Sequence, residues 1–273
     1  MRFPHATIVE HVEDQAFWNR IDCVVCCSWP GAHEKALGLA IDYAKPCFCE
    51  KPAASNTAAL DEIIQRLSSQ QLVIRVGHTF RYMGGAARFI NLAQEENLSY
   101  AEITYLGSGP RGSRWQMDSR KSFSLTHLTH AIDFVITTAG NILNVESAVW
   151  AKTDDTDTLA AAFKTERCPL VSLLATNAAS AFTLKATAIL HDGALLHLDS
   201  LRNVTLTGKN PSEKRSGLIW KERDLGTLCQ NDGYMDEIRD FFAEIRGEGQ
   251  CRLPNLIQAR HVLSVIEELE GRD

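Results

Sequence analysis

The sequence predicts a two-part chain of class α/β followed by α+β. An incomplete parallel sheet wound with helices comes first, and a largely antiparallel sheet with helices follows. Three observations carry this. Short apolar runs alternate with amphipathic stretches over the first 80 residues, as βαβ units do. From Tyr100 onward, alternating and β-branched strands dominate. Two amphipathic stretches close the chain. The change of character after His78 divides it into a unit over 1–80 and a unit over 81–273. The chain has 273 residues, 45% hydrophobic and 23% charged, an ordinary globular balance. That length buries a core without staples.

The elements follow in order. Ala6–Glu10 (ATIVE) reads as a short strand and Glu13–Arg20 as a helical turn. Asp22–Ser28 is an apolar run of strand length. His33–Ala44 places Ala36, Leu37, Ala40, Ile41 and Ala44 on one helix face, and Pro46 stops it. Cys47–Glu50 is a second buried strand. Thr57 is expected to cap the next helix, whose buried stripe is Leu60, Ile63, Ile64 and Leu67. Gln71–Val76 is a further strand. Arg81–Glu96 reads as one helix despite Gly84 and Gly85. Strands are then expected at 100–106, 145–152, 158–165, 169–176, 182–190 and 194–200, with Asp192-Gly193 as a turn signal. A helix interrupts them over Ser124–Ala139. Tyr234–Arg246 and Leu256–Leu269 are the closing helices.

Several function classes drop out. Net charge is −6 and no run of five basic residues occurs, so a nucleic-acid footprint is not expected. No stretch of ~18 apolar residues spans a membrane. The start shows no secretory pattern, and cytoplasm is the expected compartment. Eight cysteines stand at 23, 26, 27, 47, 49, 168, 229 and 251. A strand points Cys26 and Cys27 to opposite faces, which suits chelation poorly. They read as small buried hydrophobes, reduced in that compartment, and no metal site is expected.

In an open parallel sheet, ligands bind beyond the carboxyl ends of the strands. Those ends read Ser28-Trp29-Pro30-Gly31-Ala32-His33, Glu50-Lys51-Pro52 and Gly77-His78-Thr79-Phe80-Arg81-Tyr82. A lysine held between Glu50 and Pro52, once desolvated, can exchange protons; the plainer reading is a surface lysine paired with Glu50. His127 and His130 lie three apart on one predicted helix face. With no carboxylate at a matching spacing, they read either as polar-network groups or as acid/base groups.

These motifs, in this order, resemble the glucose–fructose oxidoreductase and inositol dehydrogenase (Gfo/Idh/MocA) family. DCVVCCSWPGAHEKAL with CFCEKPAASNTAALDEI is similar to its signature pair, apart from Trp29 between Ser28 and Pro30. VGHTFRYMGGAARF, LTHLTHAIDFVITTAG and DGYMDEIRDFFAEIRGEG resemble its interdomain helix entry, its His-x-x-Asp helix and its closing helix. The resemblance implies a Rossmann-like first unit and an NAD(P)-dependent oxidoreductase. Its substrate would be a small polyol, sugar or related hydroxyl or imine compound.

By the same resemblance, Lys51 and His130 would be catalytic. Ser28, Trp29, Pro30, His33, Glu50, Lys51, Pro52 and Arg81 would line NAD or NADP. Tyr82, Trp115, Thr126, His127 and Asp133 would meet substrate. Thr126 departs from the family, which usually has an Asp there. ATIVE reads as the second strand of such a unit, so roughly one βα unit with the Gly-x-Gly-x-x-Gly turn is expected to be absent; Glu10 is the candidate ribose acid. The literal match at Gly107–Gly112 lacks a helix after it, and Pro110 removes an amide. It reads as a chance match in a flexible loop, where Arg111, Arg114 and Trp115 would serve a substrate lid. The alternative is a non-catalytic relative, a sensor or partner subunit. A homo-oligomer through the antiparallel sheet is expected.

Overall fold

The computed structural model describes residues 12, 15–68, 70–109, 111–208, 217–221 and 233–272. The expected strand Ala6–Glu10, the ribose candidate Glu10, Pro110 and Cys229 lie outside them. After a short helix α1 (Gln15–Trp18), three strands form a parallel sheet in the order β1 (Val24–Cys26), β2 (Cys47–Glu50), β3 (Ile74–Gly77). Cys26 pairs with Cys49, and Glu50 with Gly77. All three carboxyl ends therefore point to one rim.

Helix α2 (Pro30–Asp42) begins three residues before the apolar stripe suggests. Pro30 takes a first-turn position, where its missing N–H costs nothing. Helix α3 (Thr57–Leu67) corrects the expected cap: Asn56 Oδ1 accepts the Ala59 amide at 2.9 Å. Thr57 is instead the first helical residue, and its amide reaches Glu267 Oε1 at 2.7 Å.

The single helix expected over 81–96 is divided. A 3₁₀ turn, Thr79–Arg81, follows β3, and helix α4 (Gly84–Gln94) starts after Met83 turns extended. The new helix start is packed tightly at Gly85. A Cβ there would lie 2.2 Å from the Leu201 carbonyl oxygen, so the helix start needs glycine to approach that turn.

Eight strands build the second sheet: β4 (Leu98–Leu106), β5 (Ile142–Lys152), β6 (Asp157–Thr165), β7 (Val171–Thr176), β8 (Thr183–Leu190), β9 (Leu195–Asp199), β10 (Asn203–Thr207) and β11 (Gly217–Lys221). Their order is β11-β10-β9-β8-β4-β7-β6-β5. Every pairing is antiparallel except β4 with β7. The Asp192-Gly193 turn closes β8 on β9, with Gly193 at φ +86° and the Ala194 amide on Asp192 Oδ1. Between β4 and β5 run α5 (Ser119–Phe123), a π-helical turn (Ser124–Leu128) and α6 (Thr129–Ala139). The expected helix is thus longer by one turn and widened at its centre.

Residues alternate along β6 and β7, and one face of the sheet is buried. Phe89, Phe134, Phe163, Ile103 and Ile266 meet on that face. Each such side chain contributes ~1.5–3 kcal/mol by leaving water. Helices α7 (Tyr234–Ile245) and α8 (Leu256–Glu270) return to the first sheet. In α8, Leu256, Ala259 and Leu263 pack on the parallel sheet, while Val262, Val265, Ile266 and Leu269 join the larger core. The Val76 amide donates to the Pro254 carbonyl at 3.0 Å. One helix is therefore shared by both sheets. No helix among the described residues is long and apolar enough to cross a membrane.

Gly85→Ala should lower unfolding free energy by about 1–3 kcal/mol, since the new methyl forces backbone apart. Urea denaturation followed by circular dichroism measures this; an unchanged midpoint would refute the close-approach account.

Candidate active site

The β2 end places Lys51 at the rim, and its side chain crosses to the second part of the chain. Lys51 Nζ donates to the Thr126 carbonyl at 2.6 Å. That carbonyl sits in the π-helical turn, where the widened ladder sets backbone oxygens out of α-helical register. Burial pulls the Lys51 ammonium down to about 8, against the opposing pull of Glu50. The plainer reading, a surface lysine on Glu50, does not describe it: Nζ turns inward, and Glu50 meets the Lys51 backbone amide at 3.3 Å.

Around Lys51 stand three histidines. His130, the second residue of α6, is enclosed by protein, and burial together with the charge of Lys51 holds its pKa well below the ordinary value. These surroundings favour the neutral imidazole. Its ring stacks on Phe80 with centroids 4.7 Å apart and meets His78 edge-on at 5.9 Å. His130 Nδ1 and Thr126 Oγ1 are buried with no hydrogen-bond partner among the described residues. His127 points to Tyr105, whose hydroxyl is 3.1 Å from Nδ1. His78, at the end of β3, is drawn down to about 4, mainly by burial.

Asp133 anchors this group from below. Its carboxylate accepts from Arg81 Nη2 at 2.6 Å and Nε at 3.0 Å, and His78 Nδ1 lies 3.4 Å away. Burial would raise its pKa, but Arg81 and His78 outweigh that and hold it below the usual carboxylate value. Arg81 also donates to the Arg252 carbonyl at 2.7 Å. Both groups are thus engaged internally.

The remaining predicted site residues divide by position. Ser28 and Trp29 stand at the β1 end on the same rim and are exposed, Trp29 by 50%. A Cβ at Gly31 would lie 2.3 Å from the Trp29 ring, so only glycine lets that ring fold over the helix start. Pro30 and His33 are buried in the first turn of α2, and His33 Nδ1 lies 2.8 Å from the Pro52 carbonyl oxygen. Tyr82 is turned away from the histidines. It packs with Phe48, Phe241, Cys251 and Leu253, and its hydroxyl bonds to Asp240. Trp115 packs against the core of the parallel sheet, with Arg114 over its ring. Among the described residues, the next helix after the Gly107–Gly112 segment begins at Ser119.

Sequence reasoning placed His78 and Phe80 at a strand end without giving them a role, and it missed Tyr105 and Glu237. His78 carried a signal, since it directly follows the β3 apolar run. Glu237 carried none: it looks like an ordinary first-turn acid of α7. It is in fact buried, and burial plus the charge of Glu50 pushes it up to about 9.

A parallel sheet thus carries a lysine at its rim, facing histidines held on a second, largely antiparallel layer. Residues 3–78 match the family described as "Oxidoreductase family, NAD-binding Rossmann fold" (GFO_IDH_MocA). Over those residues the chain is similar to the NAD-binding unit of this Gfo/Idh/MocA family. An inositol 2-dehydrogenase of Cereibacter sphaeroides is 38% identical over 65 residues, 23% of this chain and 20% of that protein. The alignment thus spans about a fifth of that curated relative's length. Among solved structures, a dehydrogenase from Chromobacterium violaceum superposes with a TM-score of 0.84 at 24% identity, covering 94% of this chain and 78% of that one. Levoglucosan dehydrogenase, in complex with NADH and L-sorbose, superposes with a TM-score of 0.77 at 15% identity, covering 94% and 79%. These likenesses show the fold.

Asp133→Asn should cost about 3–5 kcal/mol, because it leaves the buried Arg81 guanidinium without its counter-charge. In the unmutated chain the Asp133 contribution is present above the ordinary carboxylate pKa of 3.8 and is lost as pH falls through its lower folded value. Denaturant melts from neutral pH down to strongly acidic pH test both; an Asp133→Asn chain as stable as its parent would refute the pairing.

Proposed function

We propose that the chain is an NAD(P)-dependent oxidoreductase acting on a small polyol, sugar or related hydroxyl or imine compound. The observation that carries this reading is the inward turn of Lys51 onto the π-helical turn, beside the neutral His130. Two buried polar atoms there, Thr126 Oγ1 and His130 Nδ1, have no partner among the described residues. A hydroxyl-bearing substrate would satisfy them, and buried polar groups favour such pairing.

The rim residues fit a nicotinamide cofactor. Ser28 and Trp29 are exposed at the β1 end, where a parallel sheet receives its ligand. Glu50 and Pro52 would complete the lining. His33, being buried, would act by holding the Pro52 carbonyl. When bound, the nicotinamide would accept or return the hydride. Lys51, as the neutral amine, would take the substrate hydroxyl proton during oxidation, and as ammonium would return it in reduction. His130 would orient the hydroxyl through a neutral nitrogen. Arg81 and Asp133 act by positioning α6 against β3, since their polar atoms are already paired. His127 and Tyr105 would close the substrate side.

The exposed face of the eight-stranded sheet carries Val149, 65% accessible, and Leu174. A homo-oligomer contact belongs on that face in this reading.

NADH or NADPH should change the intrinsic tryptophan fluorescence saturably, with Trp29 as reporter. No saturable change below millimolar cofactor would overturn the reading. Stabilisation in a thermal-shift screen by sugars, with none by dinucleotide, would favour a non-catalytic relative instead.

Lys51→Ala should reduce turnover by at least ~100-fold with an unchanged circular dichroism spectrum. The oxidation rate should rise with pH through about 8, because only the neutral amine accepts the proton. A pH-independent rate between neutrality and mild alkali would remove Lys51 from the proton path.

A further inference from the structure

The strand pairing brings together groups that sequence spacing separates. Cys26 of β1 is the direct register partner of Cys49 of β2. His33, in the first turn of α2, lies over them. One donor atom from each of Cys26, His33 and Cys49 falls within 4.8 Å of the others, and all three residues are buried. The sequence reading compared Cys26 with its neighbour Cys27, which is exposed, and so expected no metal. Across the strands the geometry differs.

A second observation concerns the histidine. His33 Nδ1 is engaged with the Pro52 carbonyl at 2.8 Å. A carbonyl accepts only, so Nδ1 carries the hydrogen, and Nε2 keeps its lone pair. That Nε2 is buried with no partner among the described residues. An imidazole fixed through one nitrogen by a carbonyl, with the other bare, is the usual preparation of a metal-binding histidine.

We propose that Cys26, Cys49 and His33 form a binding site for a thiophilic metal ion, with zinc as the fitting occupant. Two thiolates and one imidazole match the donor preference of zinc. Tetrahedral zinc, with ligands at about 2.0–2.3 Å, holds its donors about 3.3–3.8 Å apart. The three donors therefore need to close by at most about 1.5 Å, within side-chain rotation. The fourth position is left to water or to Ser28, whose hydroxyl lies 3.4 Å from Cys26 Sγ. A thiol that binds a metal ion gives up its proton, so affinity rises with pH. The ion would tie the carboxyl ends of β1 and β2 together and fix the Pro52 turn beside Lys51. This site stands independently of the dehydrogenase reading.

The test uses the whole chain, reduced and stripped of metal by a chelator. Cobalt(II) is added first and zinc(II) second. One cobalt per chain should produce a thiolate-to-metal charge-transfer band, which zinc then bleaches. Cys26→Ser, Cys49→Ser and His33→Gln should each weaken binding at least about tenfold, while Cys27→Ser keeps the band. Should a variant fail to fold by circular dichroism, alkylation of the unmutated protein decides. Zinc should protect Cys26 and Cys49, mapped by mass spectrometry, and leave Cys27 reactive. No band in the reduced unmutated chain, a band lost in Cys27→Ser, or unprotected Cys26 and Cys49 would each overturn the proposal.

Discussion

A buried ion pair sets the geometry of this molecule. Arg81 follows the parallel sheet and Asp133 belongs to α6, which lies on the antiparallel one. Their two hydrogen bonds, at 2.6 and 3.0 Å, join the layers directly under the lysine and histidine cluster. Such a pair adds little net stability, since both ions lose their water. Its value lies in orientation: neither group tolerates an alternative arrangement that leaves the other charge unpaired. With α6 held in this way, the π-helical turn before it presents the Thr126 carbonyl to Lys51. The shared helix α8 supplies the apolar counterpart, because its two faces serve the two cores.

The local electrostatics follow from that enclosure. Lys51, His78 and His130 are all shifted toward their neutral forms by loss of water. Cations crowded together also depress one another. Asp133 is the exception, since its partners are cationic and near. Glu237 shows the reverse case: beside Glu50, with burial, it takes up a proton. The ionised Asp133 therefore lies under a set of groups shifted toward their neutral forms, an arrangement suited to moving a proton without leaving a stranded charge.

Much of the fold was legible because hydrophobic period reports which face an element buries. The βαβ alternation, the antiparallel ladder and both closing helices follow from it. Boundaries were less legible where tertiary contacts override local preference. Thr57 looked like a cap, but Glu267, more than two hundred residues away, engages it as a first helical residue. The helix start after Met83 brings Gly85 against the Leu201 backbone, a contact that no local pattern announces. In the candidate site, motif position and the family resemblance pointed to Lys51 and His130. The inward path of Lys51 was not, because it depends on a carbonyl seventy-five residues downstream. The family resemblance made Tyr82 a site residue, yet successive residues after β3 point to different sides, and Tyr82 faces α7.

The cysteines make the same distinction sharper. Spacing along the chain is informative about a metal site when the ligands share one loop, because the loop itself sets their separation. In a parallel sheet the partner of a residue lies on another strand, after a helical crossover, so the relevant spacing is the register. Val24 pairs with Cys47, and each step along β1 is matched by one along β2. Cys26 therefore meets Cys49 only because the crossover through α2 delivers β2 in that register. A slip of one residue would set Cys26 opposite Phe48 or Glu50 and turn the partner side chain to the opposite face. The same register puts Lys51 just beyond the strand end and His33 above both thiols. The thiol pair and the lysine thus share one cause, and a change that shifted β2 would disturb both together.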